Sequence, residues 1–186
     1  MLIDAADRLG EPGSAEPRVV ATHAYSDPLG KASALLARLR AETANHAMPA
    51  ESARLLGSAA VAIGAFDIAT SFLATAAEGL RAEGRLGHLP RVLALQARVA
   101  AQLADWDVAI PAAEECRRLA SELGERYWVA AADAVESIIA GVRRDEDGAE
   151  RAAKSAEQVV ARAPRISRNS TTSSPSSRSR TAPNLA

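Results

Sequence analysis

The chain has 186 residues, of which 48% are hydrophobic but only 3% aromatic, and Ala is the largest part of the apolar count. This composition favours closely packed helices over strands, because runs of Val, Ile, Thr and Tyr are nearly missing. The net charge is −1, but residues 164–186 carry four arginines and no acid, so the remainder has a net charge of −5. We therefore expect an all-α protein that does not bind nucleic acid directly, since an acidic body is repelled by phosphates.

The N-terminal stretch MLIDAADRLG lacks the basic region and apolar run of a signal peptide. No stretch of the chain approaches the roughly 18 apolar residues that a transmembrane helix needs. Cys116 is the single cysteine, so no intramolecular disulfide can form. These features predict a cytoplasmic protein with no membrane partner.

The first 24 residues contain four helix-breaking residues, Gly10, Pro12, Gly13 and Pro17. We expect residues 1–24 to form a poorly ordered segment, with at most a short helix near residues 2–9. From residue 25 to residue 163 apolar residues recur with helical spacing, which predicts a helical-repeat domain. Its first helix is predicted at 29–43, with Leu35, Leu36 and Leu39 on the buried face.

A period of 40 residues runs through this helical region. Asp recurs at that spacing, Ala follows two places after three of these Asp residues, and an aromatic residue precedes two of them. The recurrent residues are Asp27, Asp67, Asp107 and Asp147. Gly84 and Gly124 fall at matching ends of two units, and Pro164 occupies the next equivalent place. Several kinds of position in one register indicate an internal repeat.

Each unit divides into two helices, and the second is predicted to open at the recurrent Asp. Asp is a good N-cap because its carboxylate accepts the free N–H groups of the first turn. Asp147 and Glu150 have the spacing of a capping box, and Asp27 is the equivalent cap of the helix at 29–43. The first helices of the units are predicted at 50–65, 89–105 and 127–142.

The predicted buried stripes follow the i, i+3, i+4, i+7 spacing of a helix with one apolar face. In the second helices these stripes are Ala69, Phe72, Leu73, Ala76 and Leu80, then Ala109, Ala112, Ala113, Cys116 and Ala120, then Ala149, Ala152, Ala153, Ala156 and Val160. In the first helices they are Leu55, Leu56 and Ile63, then Val92, Leu95, Val99 and Leu103, then Val135, Ile138 and Ile139.

Proline and glycine conflict locally with this helical pattern. Pro111 falls four residues after Asp107, so we expect it to delay the start of its helix by one turn. Gly57, Gly64 and Gly79 lie in or near helices, where Gly costs about 1 kcal/mol relative to Ala. We expect Gly57 and Gly64 to lie where two helices touch closely.

After Pro164 the sequence RISRNSTTSSPSSRSRTAPNLA consists mainly of Ser, Thr and Arg, without periodicity. Such a segment cannot bury enough apolar surface to fold. Residues 164–186 are therefore predicted to be a disordered tail.

Cys116 is the one candidate nucleophile or metal ligand in the repeats. A nucleophile needs a nearby base and a metal needs convergent ligands, whereas His23, His46 and His88 have no metal-site spacing. The repeat places Cys116 where Ala76 stands in the preceding unit, so a small buried residue is the favoured interpretation.

Other polar groups also have a structural explanation. Glu114 and Glu115 could be imagined as an acid/base pair, but they precede Arg117 and Arg118 by three residues, which favours a solvated ion-pair face. The stretch PLGKAS, residues 28–33, lacks the upstream Gly and the following Ser or Thr of a phosphate loop. We expect no catalytic residue, metal or cofactor, and no enzymatic activity.

Tyr127 and Trp128 are the candidate partner-binding residues, because Tyr and Trp are enriched in the energetic centres of interfaces. The alternative, which we favour, is that both pack at the helix junction between two repeats.

The stretch LLGSAAVAIGAFDIATSFLATAAEGL, residues 55–80, resembles a tetratricopeptide unit. Leu56, Gly57 and Ala60 match its first helix, and Ala69 and Leu73 match its second helix. The period of 40 departs from the family's usual 34, and Arg81 stands where a proline often closes the unit. The resemblance implies a right-handed α-solenoid of tetratricopeptide-like helix pairs.

Residues 25–163, including AYSDPLGKASALLARLR and the segment from residue 55 to residue 120, are similar to the helical-repeat region of large ATP-binding LuxR-type, MalT-like transcriptional regulators. In that family a nucleotide-binding module precedes the repeats and a helix-turn-helix module follows them. Neither module has a counterpart in these 186 residues, so the resemblance implies a partial or frameshifted product.

The resemblance implies a non-catalytic sensor or interaction segment of such a regulator, with a protein or small effector on its concave surface. The alternative is a free-standing tetratricopeptide-like adaptor that binds a protein partner. Self-association is a further expectation, because the terminal repeats of a solenoid normally need a polar outer face.

Overall fold

The computed structural model describes residues 10–44, 48–143 and 146–162, which form eight α-helices, one 3₁₀ turn and no strand. The prediction of an all-α protein is therefore confirmed for these residues. The helices are α1 (Pro17–Ser26), α2 (Ala32–Glu42), α3 (Ala50–Ala62), α4 (Phe66–Ala82), α5 (Leu89–Gln102), α6 (Trp106–Leu123), α7 (Arg126–Val142) and α8 (Glu146–Arg162). The 3₁₀ turn, Leu86–His88, leads directly into α5.

The period of 40 residues is visible in the helix starts. The second helices α4, α6 and α8 begin at Phe66, Trp106 and Glu146, which are 40 residues apart. The most extensive contacts join α3 to α4, α5 to α6 and α7 to α8, so each unit is a pair of packed helices. The first helices also touch one another in chain order, α1 with α3, α3 with α5, and α5 with α7.

The core consists of the predicted apolar stripes of α4 and α6. All ten predicted residues of these two stripes are buried, which confirms the helical spacing. In α8, Ala153 is exposed, so that part of the third stripe was predicted wrongly. The extensive contacts of α8 are with α7, and no later described helix covers its other side. The remaining four residues of that stripe have side chains outside the described part of the structure.

The first helices confirm most of their predicted faces. Leu56, Val92, Val99, Val135 and Ile139 are buried, and Leu55, Ile63 and Leu95 are half-buried against the core. Leu103 and Ile138 are 49% and 41% exposed, so their predicted burial was wrong. Leu103 is already the residue after α5, and Ile138 is turned about 100° from its buried neighbour Ile139.

The recurrent aspartates are not N-caps. Asp67 and Asp107 are the second residues of α4 and α6, and the caps, Ala65 and Asp105, form no side-chain capping bond. The caps lie two residues earlier than predicted, and each helix begins at the aromatic residue before the Asp. A carboxylate in the first turn still interacts favourably with the positive end of the helix dipole.

Asp147 and Asp27 also differ from the predicted caps. Asp147 is the second residue of α8, so it cannot form a capping box with Glu150 as the residue before the helix. Asp27 ends α1 rather than opening α2, and its Oδ1 accepts the Gly30 N–H at 2.9 Å. This bond stabilises the turn between α1 and α2.

Pro111 does not delay α6, which begins at Trp106 and contains Pro111 in its interior. Gly57 confirms the close helix contact, because a Cβ added there would lie 2.9 Å from Leu73 Cδ2. Gly64 does not lie at a close helix contact, because a Cβ there would meet nothing within 4 Å. Its φ of +77° is what favours glycine at this position. Gly64 ends α3 in the left-handed conformation, which Gly adopts without strain.

The prediction of poor order up to residue 24 is wrong for residues 17–24, because they belong to α1 and their Val20 and Ala24 are fully buried. Pro17 begins this helix instead of breaking it, as its fixed φ suits the first helical position. The helix at 29–43 is confirmed with shorter bounds, and Leu35 and Leu39 are buried. The possible helix at 2–9 and the tail 164–186 lie outside the described residues.

Candidate binding groove

A groove of about 580 Å³ lies where α1, α3 and α5 meet. Its polar lining includes Arg18 from α1, Glu51 and Arg54 from α3, and Arg91 from α5. Its apolar lining includes Tyr25 and Leu55. Because these first helices pack side by side, residues far apart in sequence share one surface.

Arg54 and Glu51 form the polar floor of this groove. Arg54 donates from Nε to Glu51 Oε2 at 2.9 Å and from Nη2 to Oε1 at 2.5 Å, in the forked geometry of strong arginine–carboxylate pairs. This hydrogen bonding holds the pKa of Glu51 below its ordinary value, against the opposing effect of burial. Arg54 is only 8% exposed, and its Nη1 is buried without a hydrogen-bond partner.

The rim of the groove is basic and partly aromatic. Arg18 and Arg91 are exposed, and neither pairs with an acid in the described structure. Tyr25 is 59% exposed, so its ring presents apolar surface at the rim. The groove therefore combines guanidinium groups with apolar surface.

A second polar region joins α6, α7 and α8 beside a cavity of about 450 Å³. Arg117 of α6 donates from Nε to Asp133 Oδ1 at 2.8 Å and pairs with Glu136, both on α7. Ser155 of α8 donates to the other oxygen of Asp133. Asp133 is 5% exposed, and burial raises the pKa of Glu136 although Arg117 opposes that shift. We name Arg117, Asp133, Glu136 and Ser155 the polar cluster.

This cluster corrects the predicted ion-pair face of α6. Glu115 pairs with Arg81 of α4 at 2.5 Å, and Arg117 pairs with α7, so neither forms the pair three residues away. Arg118 pairs with Glu122 at 3.4 Å, and both side chains are 60% exposed. The neighbouring helices offer these side chains carboxylates and guanidinium groups that sequence spacing does not show.

Cys116 is fully buried, as predicted. Its thiol lies 3.2 Å from the Pro90 carbonyl oxygen, to which it can donate, and burial raises the pKa of the thiol to about 12. A thiol with that pKa is protonated at neutral pH and is a poor nucleophile. The opening of α7 covers Cys116, because the Trp128 carbonyl oxygen lies 3.6 Å from Sγ.

Tyr127 and Trp128 lie in two different environments. Their rings meet edge to face, with centroids 4.7 Å apart. Trp128 is half-buried against the core, which agrees with packing at the junction, whereas Tyr127 is 67% exposed, which does not. Consecutive helical residues point about 100° apart, so one ring can pack while the other faces solvent.

His23 lies in the last turn of α1 and is fully buried. Its Nε2 is 2.7 Å from the Gly10 carbonyl oxygen, so Nε2 carries the proton in this contact. His88 ends the 3₁₀ turn, and His46 lies outside the described residues. No three His, Cys, Asp or Glu residues of the described ranges converge as a metal site would require.

Arg54 and Asp133 were not singled out from the sequence, although they are the two Arg or Asp residues that the fold buries in the described part of the chain. For Arg54 the signal was available, because Glu51 lies three residues earlier on the same helix. For Asp133 the signal was an acid beside Ala132 on the buried face of α7. Its partners come from α6 and α8, and sequence spacing does not reveal them.

The fold and the groove define an all-helical protein built from packed helix pairs. No family model, curated protein or solved structure matches the chain. Among the described helices, none is both long enough and apolar enough to cross a membrane.

Proposed function

We propose that this chain is a non-catalytic binding segment of a LuxR-type transcriptional regulator, in which the helix pairs hold an effector or a protein partner. The observation that carries the proposal is the groove between the first helices α1, α3 and α5. Surfaces shared by successive helix pairs are where helical-repeat proteins bind their ligands.

The architecture in this proposal is a right-handed solenoid of tetratricopeptide-like pairs. Its support is the 40-residue spacing of the second helices and the ordered contacts among the first helices. In such an array each unit contacts mainly its neighbours. A crystal structure that shows the first helices on a common concave side, with a right-handed superhelix, is the expected result.

The regulatory mechanism in this proposal is a shift of population. A ligand that prefers one arrangement of the helix pairs stabilises that arrangement by its difference in affinity. In the resembled family that difference would act on an ATPase module, and a helix-turn-helix module would read DNA. This chain would supply the binding step, as a cytoplasmic segment that does not itself bind nucleic acid or catalyse a reaction.

The experiment that tests the regulator assignment is to sequence the genomic DNA on both sides of this coding region and through codon 164. We expect an ATPase-coding segment upstream, and repeats and a helix-turn-helix segment downstream in one frame or another. Neighbouring sequence with neither segment would reject the assignment to this regulator family, while leaving a binding role for the groove to be tested separately.

The second candidate is a free-standing tetratricopeptide-like adaptor, which the 67% exposure of Tyr127 favours. Under this alternative a purified partner binds the chain stoichiometrically, and Tyr127→Ala weakens binding by tenfold or more, on the order of an interface hot spot. Leu29→Ala removes an exposed apolar side chain outside both α7 and the groove, and serves as the control. Equal loss in both variants would not support an interface at Tyr127.

A further inference from the structure

The groove between α1, α3 and α5 contains a guanidinium group with one nitrogen left over. Glu51 accepts from Nε and Nη2 of Arg54, whereas the buried Nη1 has no acceptor. Such a donor is unfavourable, because it has lost contact with water without gaining a partner. Arg54 lines the groove, so an acceptor that entered it and displaced the side chains that cover Nη1 would remove this unfavourable state.

The charges around the groove favour a negatively charged acceptor. Arg18 and Arg91 line it together with Arg54, and among the described residues Glu51 is the one carboxylate in the lining. Because that carboxylate is already paired with Arg54, the two exposed arginines are not neutralised within the groove. Guanidinium groups bind carboxylates and phosphates through paired hydrogen bonds.

The apolar residues of the groove indicate the chemistry of the rest of the ligand. Leu55 and the exposed ring of Tyr25 give the groove an apolar wall beside the arginines. Its volume of about 580 Å³ lies in the range of small-molecule sites. The groove thus matches a small ligand with one charged end and one apolar end.

We propose that this groove binds a small organic anion. Its carboxylate or phosphate accepts from Arg54 Nη1 between Arg18 and Arg91, and its apolar body lies against Leu55 and Tyr25. The inference rests on the proposed function, since it names the class of effector for the groove assigned there.

The first experiment titrates the full chain with three probes that share a phenyl ring: phenylacetate, phenyl phosphate and the neutral phenylacetamide. Binding is followed by NMR through backbone amides and the Arg54 Nε–H signal. We expect at least one anion to bind with a Kd of about 1 mM or lower, and the neutral probe to bind at least about tenfold more weakly. The tighter anion shows whether the groove prefers a carboxylate or a phosphate.

Two results of this titration would overturn the inference. One is equal binding of the neutral probe and the anions, which would leave no role for the arginines. The other is no anion binding up to about 20 mM, which is far above the expected Kd of about 1 mM. Neither result bears on the genomic test of the regulator assignment, so the two failures are distinguishable.

Matched variants locate the site. Arg18→Gln and Arg91→Gln change exposed residues, so the fold is expected to remain, and each should weaken anion binding by about threefold or more. Arg98→Gln removes the same charge from α5 at an exposed position that does not line the groove, and should leave the Kd unchanged. If Arg98→Gln weakened binding equally, the anion would be attracted by the general positive charge of the surface and not by a defined site in the groove.

Glu51→Gln gives an effect of opposite sign. The neutral amide oxygen is a weaker acceptor than the carboxylate and competes less for Arg54, so the affinity for the anion should rise by about threefold or more. A residue with a purely structural role would not increase affinity when replaced. Weaker binding by a variant with unchanged circular dichroism would contradict the inference, and the titration of the unsubstituted chain decides it if the variant does not fold.

Discussion

The first two complete helix pairs solve the same packing problem with different side chains. In the pair of α3 and α4, Gly57 lies against Leu73; forty residues later, α5 and α6 have Ala97 and Ala113 at these positions. All four residues are buried. The side chains of Gly57 and Leu73 together have four carbons, whereas those of Ala97 and Ala113 have two, so the second pair fills less volume at this contact. The period therefore keeps these positions buried and does not require identical or equally large residues.

The third pair differs more deeply, because polar groups join it to the second. The contact of α3 with α4 at Gly57 is apolar, whereas the polar cluster connects α6, α7 and α8 through buried Asp133. Burying a charge is favourable only when its partners are in place. The two kinds of interface should therefore respond differently to substitution.

The largest expected effect on stability is in the pair of α3 and α4. Leu73→Ala removes a fully buried side chain and should lower the free energy of unfolding by about 3–4 kcal/mol, measured by urea denaturation. Adding Gly57→Ala, which reproduces the residues of the second pair, should restore about 1 kcal/mol, because Ala favours the helix and its Cβ occupies part of the cavity. Leu29→Ala, at a position 89% exposed, is the control. If Gly57→Ala has the same effect on stability with Leu73 as with Leu73→Ala, the two positions are not coupled and the comparison is contradicted.

A smaller loss is expected in the polar cluster. Asp133→Ala should lower the free energy of unfolding by about 2 kcal/mol, because Arg117 and Ser155 lose their buried acceptor. The loss falls below that of a fully buried ion pair, since Arg117 is 41% exposed and regains water. Glu122→Ala, which breaks an exposed pair with Arg118, should change stability by less than about 0.5 kcal/mol. Equal effects of both substitutions would show that burial of the cluster contributes nothing.

The turns that end α3 and α5 give the next comparison. Ala104 has a φ of +57° where Gly64, forty residues earlier, has +77°. Ala104→Gly should therefore raise the free energy of unfolding by about 0.5–1 kcal/mol, and Gly64→Ala should lower it by about 1 kcal/mol. Thermal unfolding of the two variants measures both. A loss of stability in Ala104→Gly would mean that the unfolded chain's added freedom outweighs the relief of strain.

The smallest effects concern two Glu–Arg pairs whose carboxyl groups shift in opposite directions. Hydrogen bonding to Arg54 lowers the pKa of Glu51, so its stabilisation is present above the carboxyl's unfolded pKa and is lost as pH falls through the folded value. Burial raises the pKa of Glu136, so stability declines as pH rises from the unfolded to the folded value. Both carboxyls are partly exposed, and solvent screening keeps the effects small.

Carboxyl titrations followed by NMR should place Glu51 below and Glu136 above the ordinary pKa of a glutamate. Glu136→Gln should remove the decline in stability across that interval, whereas Glu51→Gln should remove the loss on acidification. In a chain that carries Arg54→Gln and Arg117→Gln, the pKa values of Glu51 and Glu136 should both rise, because burial then acts on each carboxyl without an opposing arginine. An unchanged pKa of Glu51 would contradict the role of Arg54.

Much of the fold could be predicted because local patterns report it. The apolar stripe of α4, from Ala69 to Leu80, is buried as its spacing indicated, and Cys116 is buried because it occupies a stripe position. The helix boundaries were less predictable, since Asp67 was assigned as a cap but lies inside α4. A favourable carboxylate near a helix start does not distinguish a cap from a first-turn residue, because the N–H groups and the dipole attract it at both places.

By itself, the sequence determined that the chain is helical, that its units repeat every 40 residues and which faces of α4 and α6 are apolar, because these properties depend on residues three or four positions apart. Only the tertiary structure decided that Arg117 pairs with α7 instead of its own helix, and that Arg18, Arg54 and Arg91 share one groove. These arrangements depend on which helices lie side by side, and an ion pair between helices leaves no periodic signal along the chain.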